Sequence, residues 1–582
     1  MPNKKQNFLQ GAFVLTAATI IVKIIGAVFK IPLMNIIGGI GFGYYNTAYQ
    51  VFNPLYSLAT AGMPVAVARM VSESVVMGRY RDVRRILNIA MYCFIVTGTV
   101  GSLFMLFGSR FLAEDVINNP GGVYAIAVLS PAVFFFCIMS AYRGYYEGLR
   151  NMYPTAVSQV TEAVVKLVFG LGMATLSLQL GMKQFEEKGT IFGQPAPAGT
   201  TMDEAVLAMM PYVASAAIAG VMLSTMCGMI YLMVRHRRVG DGISEEELFE
   251  APVAAPARLL FKKLLRIAIP ICLSAMAMNL TSLIDLVSLI NRIAYAVRLA
   301  PDTVLGMYEG NLSAGLTLDG IPNYLYGVYS GMPQTMFNLV PAITIALATA
   351  ALPNVASTWA NNRRRIKRSV DMVLKTTTLL AIPAGLGLSV MSREILELIY
   401  PKRIMEVNIA APMLEVMGIA VIFVSIVLPA NSILQGIGKE NLPVMFMLVG
   451  AAFKLVMNYV FVGIPEMNIN AAPYGTLVCY AVIMVLALSA ICRHARIRIN
   501  LLDVFIKPGF AAALCVAAAK AVSGLLCEPL GGRLSTVLGL AVAVLVYVLV
   551  IFLVRGVSKS EILMLPGGKK IIKILENRHL MG

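Results

Sequence analysis

At 582 residues the chain could hold several soluble domains, but 58% of it is hydrophobic and only 13% is charged, with a mean hydropathy of +0.78. Soluble chains carry about 25% charged residues, and a single soluble core stops growing near roughly 250–300 residues. Disordered, collagen-like and disulfide-stapled classes are excluded, which leaves a polytopic membrane protein built from apolar runs of about 20 residues. The net charge of +17 would raise the question of nucleic acid in a soluble chain. In a membrane protein it reads first as the Lys and Arg of cytoplasmic loops.

The N-terminus presents Lys4 and Lys5 before an apolar run without a small-residue cleavage site, so an uncleaved first span is expected rather than a signal peptide. Fourteen spans follow from apolar runs between polar breaks: 11–37, 45–70, 86–108, 121–142, 154–178, 206–234, 267–290, 324–357, 369–391, 409–432, 443–464, 473–492, 504–526 and 535–554. Each is predicted to be helical, because hydrocarbon leaves no partner for a bare backbone amide. Spans 2 and 8 carry Asn53, Pro54 and Pro64, or Pro333, Pro341 and Pro353, and are expected to be bent and partly cavity-lining. Basic residues crowd the loops on the N-terminal side, notably RYRDVRR (79–85) and NNRRRIKR (361–368). That places the N-terminus in the cytoplasm, and an even span count places the C-terminus there too. The eight cysteines form no CxxC and read as small core residues.

A repeat underlies the spans. ATAGMP (59–64) matches ATAALP (348–353), RNMYP (150–154) matches ENLP (440–443), and EAVVKLV (162–168) matches GAAFKLV (450–456), all in the same order. Spans 1–6 therefore correspond to spans 7–12. Six is even, so the two copies enter the membrane in the same direction, and spans 13 and 14 are an appendix. The predicted fold is an all-α polytopic membrane protein of about 14 transmembrane helices, two parallel six-helix lobes plus two C-terminal helices. Its parts are an N-lobe (1–240), a cytoplasmic inter-lobe linker (241–266), a C-lobe (267–500) and a final segment with spans 13–14 and a cytoplasmic tail (501–582). Two-lobed carriers of this kind place a substrate site between lobes and work by alternating access.

Charges at membrane depth cost about 2.5–3.5 kcal/mol each even on lenient insertion scales, so they mark pathways or pairs. Lys23 and Lys30 lie two helical turns apart on one face of span 1. Lys23 is too central to snorkel cheaply. Glu162 and Lys166 stand at i and i+4 in the favourable order for an intrahelical pair, which would make both structural. Lys454 is the repeat-mate of Lys166, but Gly450 replaces the acid, so Lys454 is expected to offer free positive charge. Lys375 and Lys520 lie near span ends, where snorkelling suffices, and Glu415 lies in span 10. Asp285 in span 7, with Asn279 two turns before it, could pair with a lysine, carry a proton or coordinate a cation such as Na⁺. Substrate-binding candidates are thus Lys23, Lys30, Lys166 and Lys454. Asp285, Glu162 and Asn279 are coupling or charge-pair candidates, and Pro64 and Pro353 are hinge candidates. No resident cofactor or metal framework is expected beyond a possible Na⁺ or H⁺ coupling ion. A lysine-lined cavity favours an anionic, phosphate-bearing head group, and Tyr44, Tyr45, Tyr49 and Tyr56 offer flat surfaces for sugars or head groups.

KIPLMNIIGGIGFGYYNTAYQVFNPLYSLATAGMPVAVARMVSE (30–73) and YRGYYEGLRNMYPTAVSQVTEAVVK (142–166) resemble the polysaccharide-transporter branch of the multidrug/oligosaccharidyl-lipid/polysaccharide (MOP, MATE-like) exporters. Within it they are most similar to the SpoVB/YtgP group, related to MurJ lipid II flippases. The resemblance covers essentially the whole chain and implies a multi-pass protein of the bacterial cytoplasmic membrane. It further implies translocation of an undecaprenyl-pyrophosphate-linked sugar, with lipid II as first cargo, to the outer leaflet. It places Lys23 and Lys30 near basic residues that MurJ-like proteins carry on their first helix, and spans 13–14 near helices that form a lipid-tail groove there. Alternatives are a flippase for another lipid-linked oligosaccharide (capsule, teichoic-type or spore polysaccharide) and a cation-coupled multidrug exporter. Embedded lysines outnumber embedded acids, which argues against the last. The three histidines lie in cytoplasmic segments and no HExxH, GxSxG or P-loop occurs, so an enzyme is not expected.

Overall fold

A computed structural model describes residues 8–57, 62–197, 199–313, 315–361 and 366–554 of the chain. It is helical throughout except for a two-residue hairpin (Thr190–Ile191 with Gln194–Pro195). The described helices divide by their contacts into two units, Met1–Gly331 and Met332–Gly582.

The first unit begins with α1 (Phe8–Ser57), 50 residues long. At 1.5 Å per residue it would measure about 75 Å, more than twice a hydrocarbon core of about 30 Å. It therefore takes in the first two expected spans, and the break between them falls at Gly38, whose φ of 60° and ψ of −171° are not helical. Only glycine adopts that backbone region at low cost. Then come α2 (Met63–Val76), α3 (Tyr80–Phe107), α4 (Val123–Gly148), α5 (Tyr153–Lys188) and α6 (Met202–Val239). Gly189 in the left-handed region ends α5, and a Thr201/Glu204 capping box starts α6. A short α7 (Glu245–Glu250), α8 (Ala257–Leu299), α9 (Pro301–Met307) and α10 (Ile321–Gly331) complete the unit.

The second unit holds α11 (Pro333–Phe337), α12 (Leu339–Asn361), α13 (Ile366–Val390), α14 (Ser392–Ile399), α15 (Ile404–Gly436), α16 (Asn441–Phe461), α17 (Ala472–Ala495), α18 (Lys507–Leu530) and α19 (Gly532–Leu553). Its core gathers Val370 and Leu374 of α13, Val427 and Leu434 of α15 and Ile483 and Ile491 of α17. The last two helices attach to this unit. The Tyr547 hydroxyl donates to the Leu379 carbonyl at 2.7 Å, and α18 packs along α13.

Eleven described helices are long and apolar enough to cross a membrane, against fourteen expected spans. The difference is accounted for by α1, which covers two expected spans, and by α8 and the α10–α12 series, which are not among the eleven. Span 8 is bent as its prolines predict, broken into three helices at Met332 and Asn338. Span 2 likewise passes from α1 to α2, with 58–61 outside the described residues. The contact division at 331/332 does not coincide with the linker expected at 241–266, because α8 and α10 pack against α1 and α8 against α2. A repeat boundary records sequence ancestry, whereas a contact boundary records packing.

Equivalent helix pairs in the two units cross at small residues. Gly98 of α3 meets Cys137 of α4, and Gly385 of α13 meets Gly418 and Ile422 of α15. In membranes close backbone approach of this kind supplies much of the helix–helix attraction.

Candidate functional site: a cation cluster on an aromatic wall

Phe29 lies on the first half of α1. Tyr45, Tyr49, Phe52 and Tyr56 recur at spacings of four, three and four on its second half, so helical geometry sets them in one stripe. Their rings form a continuous run. Phe29 and Tyr45 are 6.0 Å apart between centroids, Tyr45 and Tyr49 4.9 Å, Tyr49 and Phe52 6.3 Å, Phe52 and Tyr56 5.5 Å, and Tyr56 reaches Phe136 of α4 at 4.3 Å. Tyr44 departs from this wall and lies against Gly121 in the turn before α4.

On α5, Ser158, Glu162 and Lys166 occupy i, i+4 and i+8 and share a face. The expected Glu162–Lys166 pair is not made. Instead, Arg143 of α4 donates through Nη2 to Glu162 Oε2 at 3.2 Å and through Nε to Ser158 Oγ at 3.0 Å. An i,i+4 pair is worth only about 0.2–0.5 kcal/mol. A guanidinium that bonds a carboxylate and a hydroxyl together is stronger and geometrically fixed. Arg143, 8% exposed, is the functional-site residue that span reading missed. The apolar run stops at Tyr142, but α4 continues to Gly148.

With Glu162 taken, Lys166 has no carboxylate within ion-pair distance among the described residues. Its Nζ lies 5.0 Å from the Phe29 ring centroid and 4.8 Å from that of Tyr49. Cation–π contacts contribute about 0.5–2 kcal/mol, enough to hold an ammonium over the wall but without neutralising it. Lys30 is near enough to Lys166 for the two like charges to interact, and neither Lys30 nor Lys23 makes an ion pair among the described residues. Both are half-buried on α1. The cluster thus brings Lys30, Lys166 and Arg143 together with Glu162, and the carboxylate of Glu147 also lies within electrostatic reach of Arg143.

The remaining candidates lie elsewhere. Asn279 and Asp285 are half-buried on α8, where the Ser288 hydroxyl donates to the Asp285 carbonyl at 3.0 Å. Both of their side chains belong to residues with further interactions, and so does Lys454, half-buried on α16, which corrects the expectation that it stands free. Lys520 does not merely snorkel, since its Nζ is 2.5 Å from Glu394 of α14. Glu415 is exposed on α15. Pro64 opens α2 and is buried beneath Gly144 of α4. The side chain of Pro353 lies outside the described residues.

A second group of contacts organises the loop side of the first unit. Arg81 donates to the carbonyls of Leu248 (3.0 Å) and Phe249 (3.3 Å), and Arg85 to that of Ala255 (2.8 Å). The Ala255 amide donates to buried Asp82 at 2.7 Å. Asp241 receives Arg84 at 3.1 Å and the Tyr145 hydroxyl at 2.9 Å, and Tyr146 approaches His236 at 3.0 Å. Burial works to raise the Asp241 carboxyl, but Arg84, the Ile243 amide and Tyr145 outweigh it and hold the group below its ordinary value. The RYRDVRR run that reads as an orientation signal is therefore also a clasp on the linker.

The fold and this cluster define a class: a multi-pass helical membrane protein that carries basic side chains within its apolar helices. The family described as polysaccharide biosynthesis protein matches residues 8–181, and MatE matches 323–460. The chain is homologous to the lipid II flippase MurJ of Bacillus subtilis (strain 168), 24% identical over 84% of this chain and 83% of the relative. It is also homologous to Stage V sporulation protein B of the same organism, 23% identical over 97% and 98%. A solved structure of lipid II flippase MurJ in an inward closed conformation overlays with a TM-score of 0.58 at 12% identity, covering 92% of this chain and 98% of that one. MATE transporters of the MOP superfamily are further structural neighbours.

Proposed function

We propose that this chain is a flippase that carries an undecaprenyl-pyrophosphate-linked sugar from the inner to the outer leaflet by alternating access, with the peptidoglycan precursor lipid II as cargo. The observation that carries this reading is the Lys166 ammonium over the aromatic wall, next in space to Lys30 and with Glu162 held by Arg143. Two like charges in a low-dielectric site repel, and a diphosphate relieves both the repulsion and the cost of burial. The aromatic rings give sugar faces a flat apolar surface. Homology to the MurJ flippase supports the cargo class.

The termini face the cytoplasm in this reading, Pro64 and Pro353 are the candidate hinges, and Asp285 is the candidate for Na⁺ or H⁺ coupling. Lys23 lines the route two turns from Lys30, and Lys454 contributes from the second repeat. The end-to-end match with Stage V sporulation protein B favours one second reading, a different lipid-linked oligosaccharide carried by the same chemistry. Purified chain in liposomes loaded with fluorescent lipid II, or with a lipid-linked sugar of another composition, tests both. Transfer of lipid II that disappears in Lys166→Ala supports the primary reading. Transfer of the other lipid alone selects the second, and transfer of neither removes both.

A further inference from the structure

Outside the cation cluster, the first unit has an apolar groove of about 550 Å³ between α2, α3 and α8. Ile89, Cys93 and Val96 of α3 form one wall, and Phe261 and Leu265 of α8 form the other. Ile89 to Thr97 lie about one to three helical turns below Arg85, so the groove runs from the basic loop into the hydrocarbon. Arg258 stands at its edge. Lys262 and Arg266 continue from Arg258 at i+4 and i+8 along one stripe of α8. All three are exposed, and among the described residues none has an ion pair. Glu73 of α2 is occupied by Lys263 at 2.7 Å and Arg69 at 3.1 Å.

We infer that this groove is a binding site for an anionic diacyl phospholipid of the leaflet that borders the basic loops. One acyl chain lies between α3 and α8, and the phosphate rests on Arg258 and Lys262. A charged mouth over an apolar body matches both halves of such a lipid. Clustered bases at a membrane border recognise anionic head groups by charge. The groove's volume suits an acyl chain and falls short of a full polyprenyl chain, so the occupant is a resident lipid rather than the cargo. It touches Met63 at the start of α2, so the lipid would press against the first turn of that helix. The inference stands independently of the cargo reading.

Native mass spectrometry of the full chain in detergent, with phosphatidylglycerol and phosphatidylcholine added in equal amounts, tests it. Phosphatidylglycerol adducts are expected to persist preferentially. Arg258→Gln/Lys262→Gln/Arg266→Gln is expected to lower their retention by roughly ten-fold or more, while a distant Lys188→Gln leaves it unchanged. Val96→Trp, which fills the groove but keeps every base, is expected to weaken retention as well. Equal retention by the triple variant and the parent, or an equal loss in Lys188→Gln, overturns the site. Displacement of phosphatidylglycerol by equimolar undecaprenyl phosphate overturns the phospholipid as occupant and makes the groove part of the cargo route.

Discussion

Arg143 illustrates how a charge inside a membrane protein is assigned by its neighbours. It holds Glu162 and Ser158 together and leaves Lys166 to the aromatic wall. Removing one member of a largely buried pair costs about 3–5 kcal/mol, because the other charge is stranded. Arg143→Ala is therefore expected to lower the melting temperature in detergent strongly, and adding Glu162→Gln should recover much of that loss. A double mutant that melts as the sum of the two singles would show that the pair is not coupled. Lys166→Ala should behave oppositely, with transport lost and melting little changed, since a cation–π contact contributes only about 0.5–2 kcal/mol. Glu162 and Lys166 were both visible in the sequence as embedded charges. Their partners were not, because helix spacing orders residues within one helix while Arg143 arrives from another. Asp241 offers a pH test at this scale. Its depressed carboxyl contributes stability at pH values above the ordinary Asp range near about 3.9, and that contribution is lost as pH falls through the lower folded-state value. The protection of amides around Ile243, measured against their intrinsic exchange rates, should fall on acidification in the parent, and Asp241→Asn should show low protection at every pH.

Among helices, the packing of α2 on α4 rests on Gly144 and Gly148, the small-xxx-small pair inside RGYYEGLR. A Cβ at Gly144 would meet the Pro64 carbonyl oxygen at 2.6 Å, and one at Gly148 would meet Val71 at 2.6 Å. Backbone cannot retreat as a flexible side chain can, so Gly144→Ala is expected to destabilise by about 1–3 kcal/mol, the usual cost of overpacking. Thermal unfolding of the purified variant checks this, and a melting temperature equal to the parent's would contradict the crossing. Gly38→Ala should likewise reduce folded yield, because its backbone sits where a Cβ is strained. The same stretch explains why RGYYEGLR is so distinctive as a sequence: its glycines seat α2 while Tyr145 and Tyr146 reach Asp241 and His236. Helix positions were legible from hydrophobic runs, and so was the break beside Pro333. The fusion of the first two spans into α1 was not, since the glycine-rich gap at 38–44 reads as a break between spans, whereas the helix runs through it with a kink at Gly38.

For the molecule as a whole, composition alone established the class, while the glycine crossings of α3 with α4 and of α13 with α15 appear only in the packing. The contact division at 331/332 was not legible. It depends on the packing of α8 and α10 against α1, which no local pattern encodes. Charge bias has a double meaning here. If Arg81 and Arg85 served only to orient the chain, replacing both by Gln would alter topology or do nothing. Because both donate to linker carbonyls, Arg81→Gln/Arg85→Gln is expected to leave cysteine-accessibility topology intact while limited proteolysis opens a new cut within 245–256. An uncut linker would return those arginines to a purely orienting role.

That grip has a consequence for how the protein tolerates change. The arginines of α3 hold main-chain oxygens of Leu248, Phe249 and Ala255, not their side chains. Every residue type offers the same carbonyl, so the strap can be rewritten letter by letter and still be fastened. What it will not survive is a change of length, because a single inserted or deleted residue shifts each oxygen away from the nitrogen waiting for it.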